Sequence, residues 1–212
     1  MKITRFVFNR ISVNTYLLVS DGGEAVVIDP GCSNHEEEER LRLQLEKQAA
    51  RLEFILLTHA HADHIQGCEW LHRHCPESIL AAHPDCMKDY GRANMYGTIF
   101  GFPERNYPPV THFLQDGEEI RFGSDSLRVL HTPGHAAGSV CFLHEAEKTL
   151  FSGDTLFCQS VGRTDLPGGD QRLLLNSIRT VLAPLPPETR VLCGHGEATC
   201  IGDERMYNPY FS

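Results

Sequence analysis

No apolar run in this sequence approaches the ~18 residues that a bilayer-spanning helix needs. The opening stretch, Met1 to Arg10, also lacks the apolar core of a signal peptide. Eight cysteines (Cys32, Cys68, Cys75, Cys86, Cys141, Cys158, Cys193 and Cys200) form no Cys-x-x-Cys pair and follow no regular spacing. These absences predict a cytoplasmic protein with free thiols. Positive charge is scarce: 19 Lys and Arg stand against 28 Asp and Glu, for a net charge of -9, and no basic stripe is present. That argues against nucleic acid and against an anionic membrane surface as partners. What the chain does have is histidine, twelve in all, and an apolar content of 41%, enough for a full core. A length of 212 residues is most simply one domain, 1–212.

Residues 2–8, 15–20 and 25–29 have the composition of strands, with Gly22-Gly23 as a turn, and read as an antiparallel meander. Over residues 36–51, Leu41, Leu45, Ala49 and Leu52 recur at helical spacing and mark one buried face. Phe54 to Leu57 is a short apolar run suited to a buried strand, and a helix is predicted from Asp63 to His74. Another strand follows at 78–83. Residues 84–112 are aromatic-rich, with four prolines and weak periodicity. They read either as a poorly regular surface excursion or as a flap over a site. Two hairpin-like pairs come next, 118–122 with 126–131 and 139–144 with 149–152. A helix at 171–183 and a last strand at 190–193 complete the pattern. Two halves of this kind predict an α/β fold of two sheets packed together with helices outside.

The chemistry concentrates where the Phe54 to Leu57 run ends. Thr58, His59, Ala60, His61, Ala62, Asp63 and His64 follow directly. His59 and His61, two apart, point to one side in an extended segment. Three imidazoles and a carboxylate within six residues make a donor set suited to Zn²⁺ or Fe²⁺. The plainer alternative is a histidine-rich loop in which Asp63 caps a helix. Three later stretches repeat the logic of a polar residue beside glycine after a strand: His131-Thr132-Pro133-Gly134-His135, Ser152-Gly153-Asp154, and Gly194-His195-Gly196. Each alone is a weak signal. Together with the first cluster they supply five histidines and two aspartates, the inventory for two metals joined by one carboxylate.

The pattern T-H-x-H-x-D-H, H-T-P-G-H, S-G-D and G-H-G resembles the metallo-β-lactamase superfamily, from Ile28-Asp29-Pro30-Gly31 to the end of the chain. Within that superfamily it is most similar to the type II glyoxalases (hydroxyacylglutathione hydrolases). The resemblance implies a four-layer αββα sandwich with two mixed sheets. It implies that His59, His61 and His135 hold one divalent metal, that Asp63, His64 and His195 hold the other, and that Asp154 bridges. The ions would most readily be zinc, with iron or manganese as alternatives. Asp29 matches a residue that steadies a ligand histidine; its other reading is a turn carboxylate. Asp63 would orient the attacking hydroxide or accept its proton.

A small-molecule thioester is the implied substrate, cleaved by metal-activated hydroxide. Arg163 stands nine positions after Asp154, where glyoxalase II carries a basic residue for the glycine carboxylate of glutathione. It would grip that carboxylate through two hydrogen bonds, or else pair with Asp165 or Asp170. Two departures stand out. Glu197 replaces a tyrosine expected two residues after the last histidine, and the chain ends at Ser212 without a helical C-terminal domain. It resembles the short, single-domain bacterial form. A rival reading is persulfide dioxygenase, which T-H-A-H-A-D-H-I-Q-G and G-R-T-D also resemble, with one iron on His59, His135 and Asp154. A third is a binding protein with a structural metal cluster. His72, His74, His83, His112, His131 and His144 have no matching role.

Overall fold

A computed structural model describes residues 1–211. Strands β1 (Lys2–Phe8), β2 (Val13–Val19), β3 (Glu24–Ile28), β4 (Arg51–Leu56), β5 (Ile79–Ala82) and β6 (His112–Phe113) form one sheet in that spatial order. Its first three strands are antiparallel; β3 to β6 run parallel. The second sheet takes β7 (Glu119–Phe122), β8 (Asp125–His131), β9 (Val140–His144) and β10 (Thr149–Gly153) in order from one edge. A short ribbon, β11 (Leu156–Phe157) with β12 (Ser160–Val161), then stands apart. The chain returns as β13 (Arg190–Cys193), parallel to β10, and β14 (Thr199–Cys200) at the far edge.

Side-chain alternation explains the layering. Along β2, Tyr16 and Leu18 face the second sheet, where they meet Phe122, Phe142 and Phe151. Leu17 and Val19 face the other way, toward Leu41 and Leu45 of helix α1 (His35–Lys47). Because β2 is covered on both faces, every one of its residues is buried. On the second sheet the outward residues Cys141, Leu143, Leu150 and Val191 pack on Leu174, Ile178 and Leu182. The result is the four-layer αββα arrangement with two mixed sheets. No helix among the described residues is long and apolar enough to cross a membrane. All eight cysteines are free thiols, and five are buried.

Helix α1 starts where Asn34, in extended conformation, accepts the Glu37 N–H at 3.0 Å, with Glu36, Glu37 and Glu38 in the first turn. Asn34→Ala should lower stability by about 1 kcal/mol, read as a lower urea midpoint at unchanged slope. An unmoved midpoint would show that the cap is redundant.

Several predicted boundaries are corrected. The helix expected from Asp63 to His74 is two pieces, α2 (Ala62–Ile65) and α3 (Cys68–His74). The break falls at Gly67, whose N–H donates to Pro30 O at 2.7 Å. A Cβ at Gly67 would stand 2.3 Å from Cys32 Sγ, so the glycine lets the helix press against the turn after β3. Residues 84–112 are not irregular throughout. They hold a 3₁₀ turn (Pro84–Cys86), α4 (Met87–Tyr90) and α5 (Ala93–Ile99), then extended chain tied back by Asn94, which bonds the Arg105 backbone twice at 2.9 Å. Helix α6 (Gln171–Ser177) passes into a π-helical turn at Ile178–Leu182, and α7 (Ile201–Tyr207) closes the chain.

Candidate metal centre

The ends of five strands meet at one edge of the sandwich. The turn after β3 carries Asp29; the segment after β4 carries Thr58 to His64; the turns after β8, β10 and β13 carry His135, Asp154 and His195. The two sheets are joined here directly, since the Asn14 N–H donates to Gly194 O at 2.7 Å. A Cβ at Gly194 would stand 2.2 Å from Asp154 Oδ1 and 2.9 Å from His64 Cε1, so only glycine admits those two side chains so close to the backbone.

All seven predicted ligand candidates come together. Donor atoms of His59, His61 and His135 lie within 4.8 Å of one another, as do those of Asp63, His64 and His195. Asp154 sits between the groups. Its Oδ1 is 3.3 Å from His64 Nε2, and its Oδ2 is 3.7 Å from His135 Nε2 and 3.6 Å from His195 Nε2. Asp63 Oδ2 faces His195 Nε2 at 3.2 Å and His64 Nε2 at 3.5 Å.

Hydrogen bonds on the far side of the rings assign their tautomers. His64 Nδ1–H donates to Asp29 Oδ2 at 3.0 Å, His135 Nδ1–H to Arg163 O at 2.8 Å, and His195 Nδ1–H to Ile11 O at 3.2 Å. The Thr58 hydroxyl gives its proton to Asp29 Oδ2 at 2.6 Å and so accepts from His59 Nδ1–H at 3.1 Å. Four Nε2 lone pairs are thereby turned inward. His61 presents its Nδ1, only 2.9 Å from His135 Nε2. His59 Nε2 and Asp154 Oδ1 are buried with no hydrogen-bond partner. Inward lone pairs and orphaned buried acceptors repel one another unless a cation lies among them. The residues therefore fit divalent metal.

The electrostatics agree. Burial, reinforced by the neighbouring rings, holds His59 well below the ordinary imidazole range and His61 at about 4. Burial opposes a charge on His64 too, but Asp154, Asp63 and Asp29 outweigh it and draw positive charge to that point. Asp154 is held well below the usual carboxylate range: burial resists ionisation, and the imidazoles of His64, His135 and His59 overcome it.

Asp29 is buried, at φ 50°, and also accepts the Thr58 N–H at 2.7 Å. It is thus both a turn carboxylate and a holder of His64. Arg163 takes the plainer of its two predicted partners, Asp165, through Nε and an Nη at 2.7 Å each, while still lining the cleft. Glu197 lies exposed, 3.6 Å from Arg5. His83 and His131 form a separate stacked pair, rings 4.1 Å apart and 10° from parallel, beside Asp85. Their lone pairs run parallel rather than converge, and His83 Nδ1 already accepts the Asp85 N–H at 3.3 Å.

Above the centre opens a cleft of about 330 Å³. Its walls are Ile11, Tyr96, Phe100, Phe157, Leu166 and Pro167, with Asp89 among them. Sequence reasoning named none of these as site residues. The aromatic richness of 84–112 was the available signal for Tyr96 and Phe100; nothing marked Ile11, Leu166 or Asp89.

Comparison with known proteins gives this geometry its lineage. Residues 9–195 match the profile described as the metallo-beta-lactamase superfamily. The chain belongs to that superfamily. Hydroxyacylglutathione hydrolase GloC of Haemophilus influenzae is 34% identical over 200 residues, 94% of this chain and 92% of its own. Among solved structures of similar fold, TTHA1623 in a di-iron-bound form is 36% identical, with a TM-score of 0.87 over 98% of this chain and 99% of that one. ETHE1 from Myxococcus xanthus is 27% identical, with a TM-score of 0.81 over 99% and 84%. Membership in the superfamily and the clustered side chains together support a metallo-hydrolase that uses divalent metal.

Proposed function

We propose that this metallo-β-lactamase superfamily member hydrolyses a thioester, S-lactoylglutathione or a relative of it, as a single domain with two divalent cations, zinc foremost. One observation carries the reading: two groups of inward-facing donors share the carboxylate of Asp154 at the floor of a cleft. The likeness to the GloC hydrolase supports the choice of substrate class. In this reading His59, His61 and His135 would hold one cation, Asp63, His64 and His195 the other, and Asp154 would serve both. Such a pair, when bound, supplies an acidified water and an electrophile for the carbonyl oxygen.

The chain's own residues do the rest. Asp63 orients the attacking water and takes up its proton. Asp29 and the carbonyls of Arg163 and Ile11 keep three rings in the ligating tautomer. Apolar walls exclude bulk water, which strengthens each charge interaction inside. Arg163 exchanges Asp165 for a substrate carboxylate through the same two N–H groups. Arg163→Ala should therefore raise KM by about tenfold while lowering kcat less. Steady-state kinetics check this; a fall confined to kcat would remove the gripping role.

A second reading, oxidation of a persulfide at a single iron on His59, His135 and Asp154, is kept in view by the likeness to ETHE1. The complete second group, Asp63, His64 and His195, favours the hydrolase. A paired assay separates them: thiol release from S-lactoylglutathione, oxygen uptake with glutathione persulfide, and metal analysis of the same preparation. Thiol release with two metals per chain is expected. Oxygen uptake with one iron per chain and no thioester turnover would reject the hydrolase.

A further inference from the structure

Asp89 is the one acidic wall residue of the cleft that the metal centre does not use. It lies on α4, is 7% exposed, and lines the same cavity as His61, Asp63, His135 and Asp154. Its carboxylate makes no hydrogen bond and no ion pair among the described residues. Lys88 and Arg92 act on it only through their fields, and Arg163, the cleft's own cation, is held by Asp165. Opposite stands the Leu166–Gly169 turn, with Asp89 Oδ2 only 3.7 Å from where a Cβ on Gly168 would be. The remaining wall is apolar, Ile11, Tyr96, Phe100, Phe157, Leu166 and Pro167.

The Asp89 side chain is largely buried, which pushes its carboxyl up, while its oxygens stay open to the cleft with no protein donor against them. The structure supplies no donor for it, yet its oxygens face the space a substrate enters. The missing donor is therefore looked for on the ligand. A partly desolvated carboxylate in a largely apolar wall discriminates by charge: an ammonium gains a charge-assisted hydrogen bond, and a carboxylate is repelled. We infer that Asp89 determines specificity by receiving a protonated amine on the substrate. This rests on the thioester-hydrolase reading and narrows it to thioesters whose carrier thiol bears an ammonium group. Arg163 and Asp89, on the same cleft, would then read opposite charges of one zwitterionic carrier.

The test separates binding from turnover. S-hexylglutathione, a thioether that cannot be hydrolysed, and its N-acetyl derivative are titrated calorimetrically into the purified metal-loaded protein and into Asp89→Asn and Asp89→Glu. Wild type should bind the free amine about tenfold or more tighter than the N-acetyl form. Asp89→Asn should reduce that ratio to below about twofold by weakening the free-amine complex alone, and Asp89→Glu should restore part of it. Melting temperature and metal content of each variant show whether the fold and the centre are intact. An unchanged ratio in Asp89→Asn overturns the inference, as does equal affinity of wild type for the two probes, or no binding of either. Discrimination without S-lactoylglutathione turnover would sink the thioesterase reading and leave Asp89 its role. Turnover without discrimination would do the reverse.

Discussion

Asp154→Ala is expected to lower kcat/KM for S-lactoylglutathione by at least about 10³-fold. Metal content should fall from two ions to one or fewer per chain. The reason is positional. The carboxylate of Asp154 reaches both groups, with Oδ1 toward His64 and Oδ2 between His135 and His195. Among the described residues, alanine removes the one carboxylate that reaches both groups, and with it the negative charge that would let two cations sit close together. The imidazoles would remain, so one ion can still bind. Kinetics with metal analysis on the same sample checks both halves, and a melting curve confirms that the variant is folded. Turnover near the wild-type rate with two metals would remove Asp154 from the bridging role.

Asp29→Asn should weaken metal affinity by about 10–100-fold, with activity at limiting metal falling in step. Asparagine tolerates the φ of 50° at this position, so the substitution tests hydrogen bonding rather than backbone strain. Asp29 accepts three protons, from the Thr58 N–H, the Thr58 hydroxyl and His64 Nδ1–H. An amide can still accept the first. Its NH₂ then confronts the other two donors, His64 loses the acceptor that fixes its tautomer, and its Nε2 is no longer held as a lone pair. Competition against a chelator measures the affinity, and excess metal should restore much of the activity. Unchanged competition would mean that His64 needs no such support.

Strand positions were legible because burial on both faces leaves apolar runs such as Phe54 to Leu57, and because turn residues punctuate them. Helix α1 was legible from the spacing of Leu41 and Leu45. The break at Gly67 was not, since a lone glycine only weakly disfavours a helix from Asp63 to His74; Cys32 and Pro30 press in from a distant turn. The short strands β11, β12 and β14 and the helix α7 were passed over for a related reason. Strands of two residues carry no period, and α7 opens on Cys200, whose Sγ meets the Asp203 N–H at 3.4 Å, an unusual cap. The helices in 84–112 are held by long-range bonds such as Asn94 to Arg105, which a local pattern does not reveal.

The donor residues of the centre were determined by the sequence alone. Metal chemistry needs particular atoms, imidazole nitrogens and carboxylate oxygens, and the motifs from His59 to His195 announce them through residue type and glycine context. The tautomers, the cleft walls and the partner of Arg163 were decided only by the tertiary structure. Each depends on which atoms stand across a gap. Ile11 O behind His195, Asp165 in front of Arg163 and an unpaired Asp89 in an apolar wall are distances between residues, and no residue carries such a distance in its own name.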